Sequence, residues 1–212
     1  NTGPLLRVAF SADGKYLVYR SDKKKISLWN LELDEKPIEM ELPLLIGGSQ
    51  VAFSSNDEVL ATVCVPDDKS AVAVILQWDP VKNAESSRIE MKVGAGAGAL
   101  AFSPDGSLLA GSDEKGSIYF FDLATRKETF RLQLAHQGMV NFLWWDPDSR
   151  HLLSSSINGS LKHWELPRES LSSTFSAKGA KRQFAISPDG RQLALMGSRR
   201  EPGVRLINRE TG

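Results

Sequence analysis

The chain has 212 residues, with 26 Lys or Arg balanced by 26 Asp or Glu, so no global charge draws it to nucleic acid or a membrane surface. No apolar run reaches the about 18–20 residues that span a bilayer, and the first residues lack the charged and apolar regions of a signal peptide. Cys64 is the one cysteine, which excludes an internal disulfide and a cysteine metal cluster and is in keeping with a soluble protein of a reducing, cytoplasmic setting.

Five related phrases follow one another along the chain: VAFSADG from Val8, VAFSSND from Val51, LAFSPDG from Leu100, LWWDPDS from Leu143 and FAISPDG from Phe184. Their anchor residues Phe10, Phe53, Phe102, Trp145 and Ile186 are 43, 49, 43 and 41 positions apart. At such a period each unit is a module that needs neighbours to bury its faces. In the third unit LAF reads as a short apolar strand, and SPDG as a tight turn in which Pro104 presets φ and Gly106 closes the bend. SLLAGS resumes as a second strand, DEKG turns again, and SIYFFD is a third strand rich in aromatic and β-branched residues. A weaker fourth strand is predicted around Glu128–Leu134.

The third strand ends alike in every unit: LWN at Leu28–Asn30, QWD at Gln77–Asp79, FFD at Phe120–Asp122, HWE at His163–Glu165 and LIN at Leu206–Asn208. From the anchor to this apolar residue the distance is 19 in units one, three and four, 25 in unit two and 21 in unit five. Insertions at CVPDDKSAVAV and GSRREPG explain the longer spacings as enlarged turns, and loops are where binding tends to reside. The units run over about 4–44, 45–93, 94–135, 136–177 and 178–212.

On these residues the chain resembles the WD-repeat family, with four strands per blade, a period of about 40–45 and Trp-Asp strand endings. The resemblance implies an all-β fold, a β-propeller of four-stranded antiparallel blades with five WD40-like blades present. A propeller of the related periplasmic and peptidase type, built on similar PDG turns, is the alternative, and Trp29, Trp78 and Trp164 favour the WD reading. The fourth unit matches best. There the family's hydrogen-bonded tetrad maps onto His136, Ser154, Asn158 and Trp164, with Asn standing where the family has Asp and so carrying no charge. Units one and three have Lys23 and Lys115 at that turn and no preceding His, which makes the chain a divergent member. Both ends fall at the same phase of the repeat, so five units are expected to be an arc of a ring of about seven blades, the alternative being a small five-bladed ring. An arc alone would leave a blade face open, an aggregation liability.

Signals of catalysis are missing: there is no GxSxG elbow, P-loop or HExxH. The histidines His136, His151 and His163 lack a metal-ligand spacing, and His151 and His163 fall in or near different strands with no acidic partner indicated, so no metal and no cofactor is expected. Asp67 and Asp68 lie beside Pro66 in a solvated turn. GAGAGAL from Gly94 lacks the helix context of a dinucleotide site and reads as a tight entry permitting close backbone approach. The stretch from Leu31 to Glu41 is acidic, whereas unit five gathers Lys178, Lys181, Arg182, Arg199 and Arg200. By the family's geometry these five basic residues share one rim, suited to an acidic or phosphorylated peptide. No aromatics interleave with them, which argues against specific nucleic-acid binding. Met139 and Asn141, after His136, are placed by the same geometry to meet a ligand from the rim. Trp144 replaces the alanines of the other units (Ala9, Ala52, Ala101, Ala185) and either fills a gap between blades or anchors a partner; the interior role is preferred. The expected function is non-catalytic: a scaffold for protein partners, continuous with further blades or domains of the same polypeptide. The alternative is a regulatory or sensor part of a larger kinase, peptidase or signalling NTPase.

Overall fold

The computed structural model describes residues 7–11, 13–20, 25–33, 35–41, 51–54, 59–64, 72–79, 84–92, 98–166, 170–176, 184–187, 189–196 and 204–208. These form antiparallel sheets in the order of the repeats. The first holds β1 (Arg7–Phe10), β2 (Tyr16–Arg20), β3 (Lys25–Asn30) and β4 (Ile38–Glu41). The second holds β5 (Val51–Phe53), β6 (Val59–Cys64), β7 (Val72–Asp79) and β8 (Ala84–Lys92). The third holds β9 (Leu100–Phe102), β10 (Leu108–Ser112), β11 (Ile118–Asp122) and β12 (Lys127–Leu132). The fourth holds β13 (Val140–Trp145), β14 (His151–Ser156), β15 (Ser160–Glu165) and β16 (Ser170–Ser176). The fifth shows β17 (Phe184–Ile186), β18 (Gln192–Met196) and β19 (Val204–Asn208) among the described residues. Neighbours in each sheet are neighbours in sequence, as short turns dictate. The weak fourth strand of unit three is β12, close to where the sequence placed it. No helix long and apolar enough to cross a membrane occurs among the described residues.

The repeated turns share one physical device. In units one, three and five the serine after the anchor donates to the aspartate two places on: Ser11 Oγ to Asp13 Oδ1 at 2.7 Å, Ser103 to Asp105 at 2.6 Å and Ser187 to Asp189 at 2.5 Å. The same hydroxyl accepts the amide five residues on, from Tyr16, Leu108 and Gln192. The glycine closing each bend, Gly14, Gly106 or Gly190, has φ near +70°, a conformation that costs glycine little.

The sheets stack in sequence. Strands β1, β5, β9 and β13 meet one another in turn, so the sheets fan out from a shared inner edge. Val18, Ile26, Leu28 and Met40 of the first sheet pack with Leu60 of the second. Ala110, Ile118, Phe120 and Leu132 of the third meet Leu143, Trp145, Leu152 and Trp164 of the fourth. Alternation along β14 and β15 gives the fourth sheet two faces. Leu152 and Trp164 look back to the third sheet, while Leu153 and Leu161 look forward to Leu193 of the fifth. Trp144 is half-buried on that forward face with Ile186 and Ile207, so it fills the space between sheets. The outermost faces remain open: Phe10 is 64% exposed on the first sheet and Leu206 67% on the fifth.

Candidate functional site

The fourth unit gathers polar side chains at both ends of its sheet. At one end His136, in the loop between β12 and β13, is almost fully buried. Its Nε2 lies 2.7 Å from Ser154 Oγ, and Trp164 Nε1 donates to that same oxygen at 2.8 Å. The other ring nitrogen, Nδ1, lies 2.6 Å from Ser160 Oγ, and Ser160 donates to Asn158 Oδ1 at 2.8 Å. Asn158, in the β14–β15 turn, also accepts the Ser160 amide and donates to the Gln137 carbonyl. His136, Ser154 and Trp164 thus come together directly, and Asn158 joins through Ser160.

The donors run in a single direction: indole to Ser154, Ser154 to Nε2, Nδ1–H to Ser160, Ser160 to the Asn158 oxygen. That relay assigns His136 as the neutral Nδ1–H tautomer, in which Nε2 accepts and Nδ1 donates. Burial, aided by the nearby Lys162 ammonium, lowers its pKa from 6.5 to about 4. Lys162 itself donates to the Ala135 carbonyl at 2.5 Å and lies 5.5 Å from the Trp164 ring centre. Every heteroatom of the relay is occupied by protein, which leaves it to hold the entry loop onto the sheet.

Met139 is half-buried beside this loop and its carbonyl accepts the Ile157 amide at 3.0 Å. Asn141 falls inside β13, and its side-chain oxygen accepts from Ser155 at 2.9 Å. The basic residues Lys178, Lys181, Arg182, Arg199 and Arg200 lie outside the described residues. Of the glycine-rich entry into unit three, Gly98 is described. A Cβ there would stand 2.3 Å from Ser112 Oγ and 2.5 Å from Ser112 O, so close backbone approach does require glycine at this point.

At the opposite end of the fourth sheet the two remaining histidines meet, in different strands as expected but with acidic partners, which corrects the expectation that none accompanies them. The β14–β15 register pairs His151 with Glu165 and His163 with Leu153, so both imidazoles stand on the forward face, one diagonal step apart. Their centroids are 5.0 Å apart with planes at 26°. The β13–β14 turn supplies the acids: His151 Nδ1 bonds Asp148 Oδ2 at 2.6 Å, and His163 Nε2 lies 3.3 Å from Asp146 Oδ2. Burial alone would raise the Asp148 pKa, but hydrogen bonds from the Arg150 amide and the His151 ring outweigh it and hold the carboxyl below its ordinary value. The signal in the sequence was parity. Both histidines are odd-numbered about a turn centred on Asn158, and that places them on one face.

The pattern of the WD domain, G-beta repeat, matches residues 94–122 and 127–165, the third unit and the fourth through its Trp164-Glu165 ending. The third and fourth units are thus WD repeats, and the chain is similar to WD-repeat proteins. It is 38% identical over 78 residues to "WD repeat-containing protein 1" of Mus musculus, covering 36% of this chain and 13% of that protein. It is 28% identical over 134 residues to "DmX-like protein 1" of Homo sapiens, covering 62% of this chain and 4% of that protein. Along 195 residues it is 22% identical to "Transcription initiation factor TFIID subunit 5" of Caenorhabditis elegans, covering 91% of this chain and 28% of that protein. The chain therefore spans well under a third of the length of each of these relatives. WD-repeat domains serve in general as protein-interaction domains, and the chain carries such a domain. Its His136 relay sits inside the matched stretch, as a WD-repeat unit with Asn158 where the family has Asp.

Proposed function

We propose that this chain is a non-catalytic platform on which protein partners assemble, organised as successive blades over about 4–44, 45–93, 94–135, 136–177 and 178–212. The observation that carries the reading is the constancy of the frame against the variation of its loops. The Ser–Asp turn recurs in units one, three and five and the sheets pack on one another in turn, while units two and five enlarge their loops and unit five concentrates positive charge. A rigid scaffold carrying variable loops is the usual arrangement for recognition. The relative named as a subunit of a transcription initiation factor is by its name a component of an assembly, which agrees with such a role. The basic loops of unit five favour an acidic or phosphorylated peptide as partner, in the cytoplasm.

The test is charge reversal. Arg199→Glu with Arg200→Glu should weaken capture of an acidic phosphopeptide by at least about 10-fold, because phosphate recognition draws on charge-assisted bonds. The melting temperature should stay nearly unchanged if the two arginines serve the partner and not the fold. Unaltered capture removes the basic rim from the reading. A second reading, a regulatory domain inside a larger enzyme, draws support from the length of the relatives, of which this chain matches 4–28%. A catalytic domain in the flanking sequence would favour it over the platform.

A further inference from the structure

We propose that Asp146, His151 and His163 form a binding site for one divalent transition cation of the Zn2+ class. Their ligand atoms all lie within 4.8 Å of one another. The repeat supplies an internal comparison. The position of Asp146 is serine in every other unit (Ser11, Ser54, Ser103, Ser187). That of His151 is Tyr16, Val59, Leu108 or Gln192, and that of His163 is Leu28, Gln77, Phe120 or Leu206. Three positions on three different elements of one unit thus change together to metal-ligating types, and the fold brings those three to one point. In the third sheet the His163 position is the fully buried Phe120, stacked on Phe130 at 4.2 Å. Replacing a packing residue of that kind by imidazole needs a reason beyond the fold.

The donors are set up for coordination. Asp148 holds His151 at Nδ1, which leaves Nε2 with its lone pair available; a carboxylate behind a ligating histidine fixes tautomer and orientation in this way. His163 turns Nε2 toward Asp146 Oδ2; with the imidazole proton moved to Nδ1, a cation between them takes the Nε2 lone pair and replaces a long hydrogen bond by two bonds to metal. A tetrahedral Zn2+ sits about 2.0–2.2 Å from nitrogen or carboxylate oxygen, which puts ligands roughly 3.3 Å apart. Closing from the observed spacing draws the ligand atoms together by at most about 1.5 Å. Both rings keep some exposure, 29% for His151 and 16% for His163. Two imidazoles and one carboxylate suit Zn2+, Cu2+ or Ni2+ better than Ca2+ or Mg2+, which prefer all-oxygen shells. Three protein ligands leave a fourth position for water or for a side chain of a bound partner.

The experiment titrates the intact protein, freed of any histidine tag, with Zn2+ against a chromophoric chelator. One equivalent should bind. The double variant His151→Gln/His163→Gln should lose at least about 100-fold in affinity, and Asp148→Asn about 10-fold, the scale of an outer-shell partner. Cys64→Ser should bind as the parent does. Zn2+ should raise the melting temperature of the parent and leave that of the double variant in place. Should the double variant fail to fold, Asp146→Asn alone gives the reading, with a loss of at least about 10-fold. Parent affinity retained in these variants, or no binding by the folded parent at millimolar Zn2+, overturns the site.

Discussion

Acid should unfold this protein through His136. The folded chain holds the imidazole neutral, with its pKa lowered to about 4 chiefly by burial, whereas the unfolded chain returns it to its ordinary 6.5. Below that value the unfolded state takes up a proton that the folded state refuses. The stability His136 contributes is therefore complete at neutral pH and lost as pH falls from 6.5 toward 4. At about 1.4 kcal/mol per pKa unit the whole span is worth roughly 3 kcal/mol, of which about 2 kcal/mol is gone by about pH 5. A protonated ring also cannot accept the Ser154 hydroxyl, so the relay breaks at its centre. Urea midpoints between about pH 7 and pH 5 measure the slope, with His136→Gln as the comparison because it removes the titrating group. The variant starts less stable but should lose about 2 kcal/mol less over the same interval. Equal slopes in the two proteins, or an NMR titration placing His136 at or above 6.5, would refute the reasoning.

Two further substitutions probe the frame. Trp164→Ala removes a buried indole that both fills the space against the third sheet and donates to Ser154; a loss of about 3–5 kcal/mol is expected by denaturant unfolding. Gly98→Ala drives a methyl into the Ser112 backbone and should cost at least about 1–3 kcal/mol through the shift it forces, while an unchanged denaturant midpoint would show that the entry loop is slack.

Sequence and structure agree where the physics is local. Pro-Asp-Gly turns and the aromatic endings of third strands mark strand ends because turn chemistry and alternation act over a few residues. His136, Ser154 and Trp164 were legible through the resemblance to the WD-repeat family, whose tetrad maps onto one hairpin and its entry loop. Ser160 could not, because its role depends on which imidazole nitrogen carries the proton, and that follows from burial and direction in the completed network. The pairing of His151 with His163 escaped spacing rules because it crosses strands diagonally. Only the hairpin register, added to a turn in which aspartate replaces serine, brings Asp146 to them. Trp144 was legible as an exception among alanines, but the gap it fills exists only once the fifth sheet is stacked on the fourth.

The junction between the third and fourth sheets is closed by bonds at three separate levels. The Asp105 amide donates to the Ser149 hydroxyl at 3.0 Å, Trp145 Nε1 to the Ala101 carbonyl at 3.1 Å, and the His136 amide to the Gly116 carbonyl at 3.0 Å. A Cβ on Gly116 would reach within 2.1 Å of the His136 oxygen, so the two backbones already touch. In hydrogen-exchange terms these sheets should open as one cooperative body and not as two, with the amides of β10, β11, β14 and β15 exchanging at a common free energy. Anything that grips the fourth unit then pulls on the third as well, and the pair becomes the smallest part of the protein that can respond to a ligand.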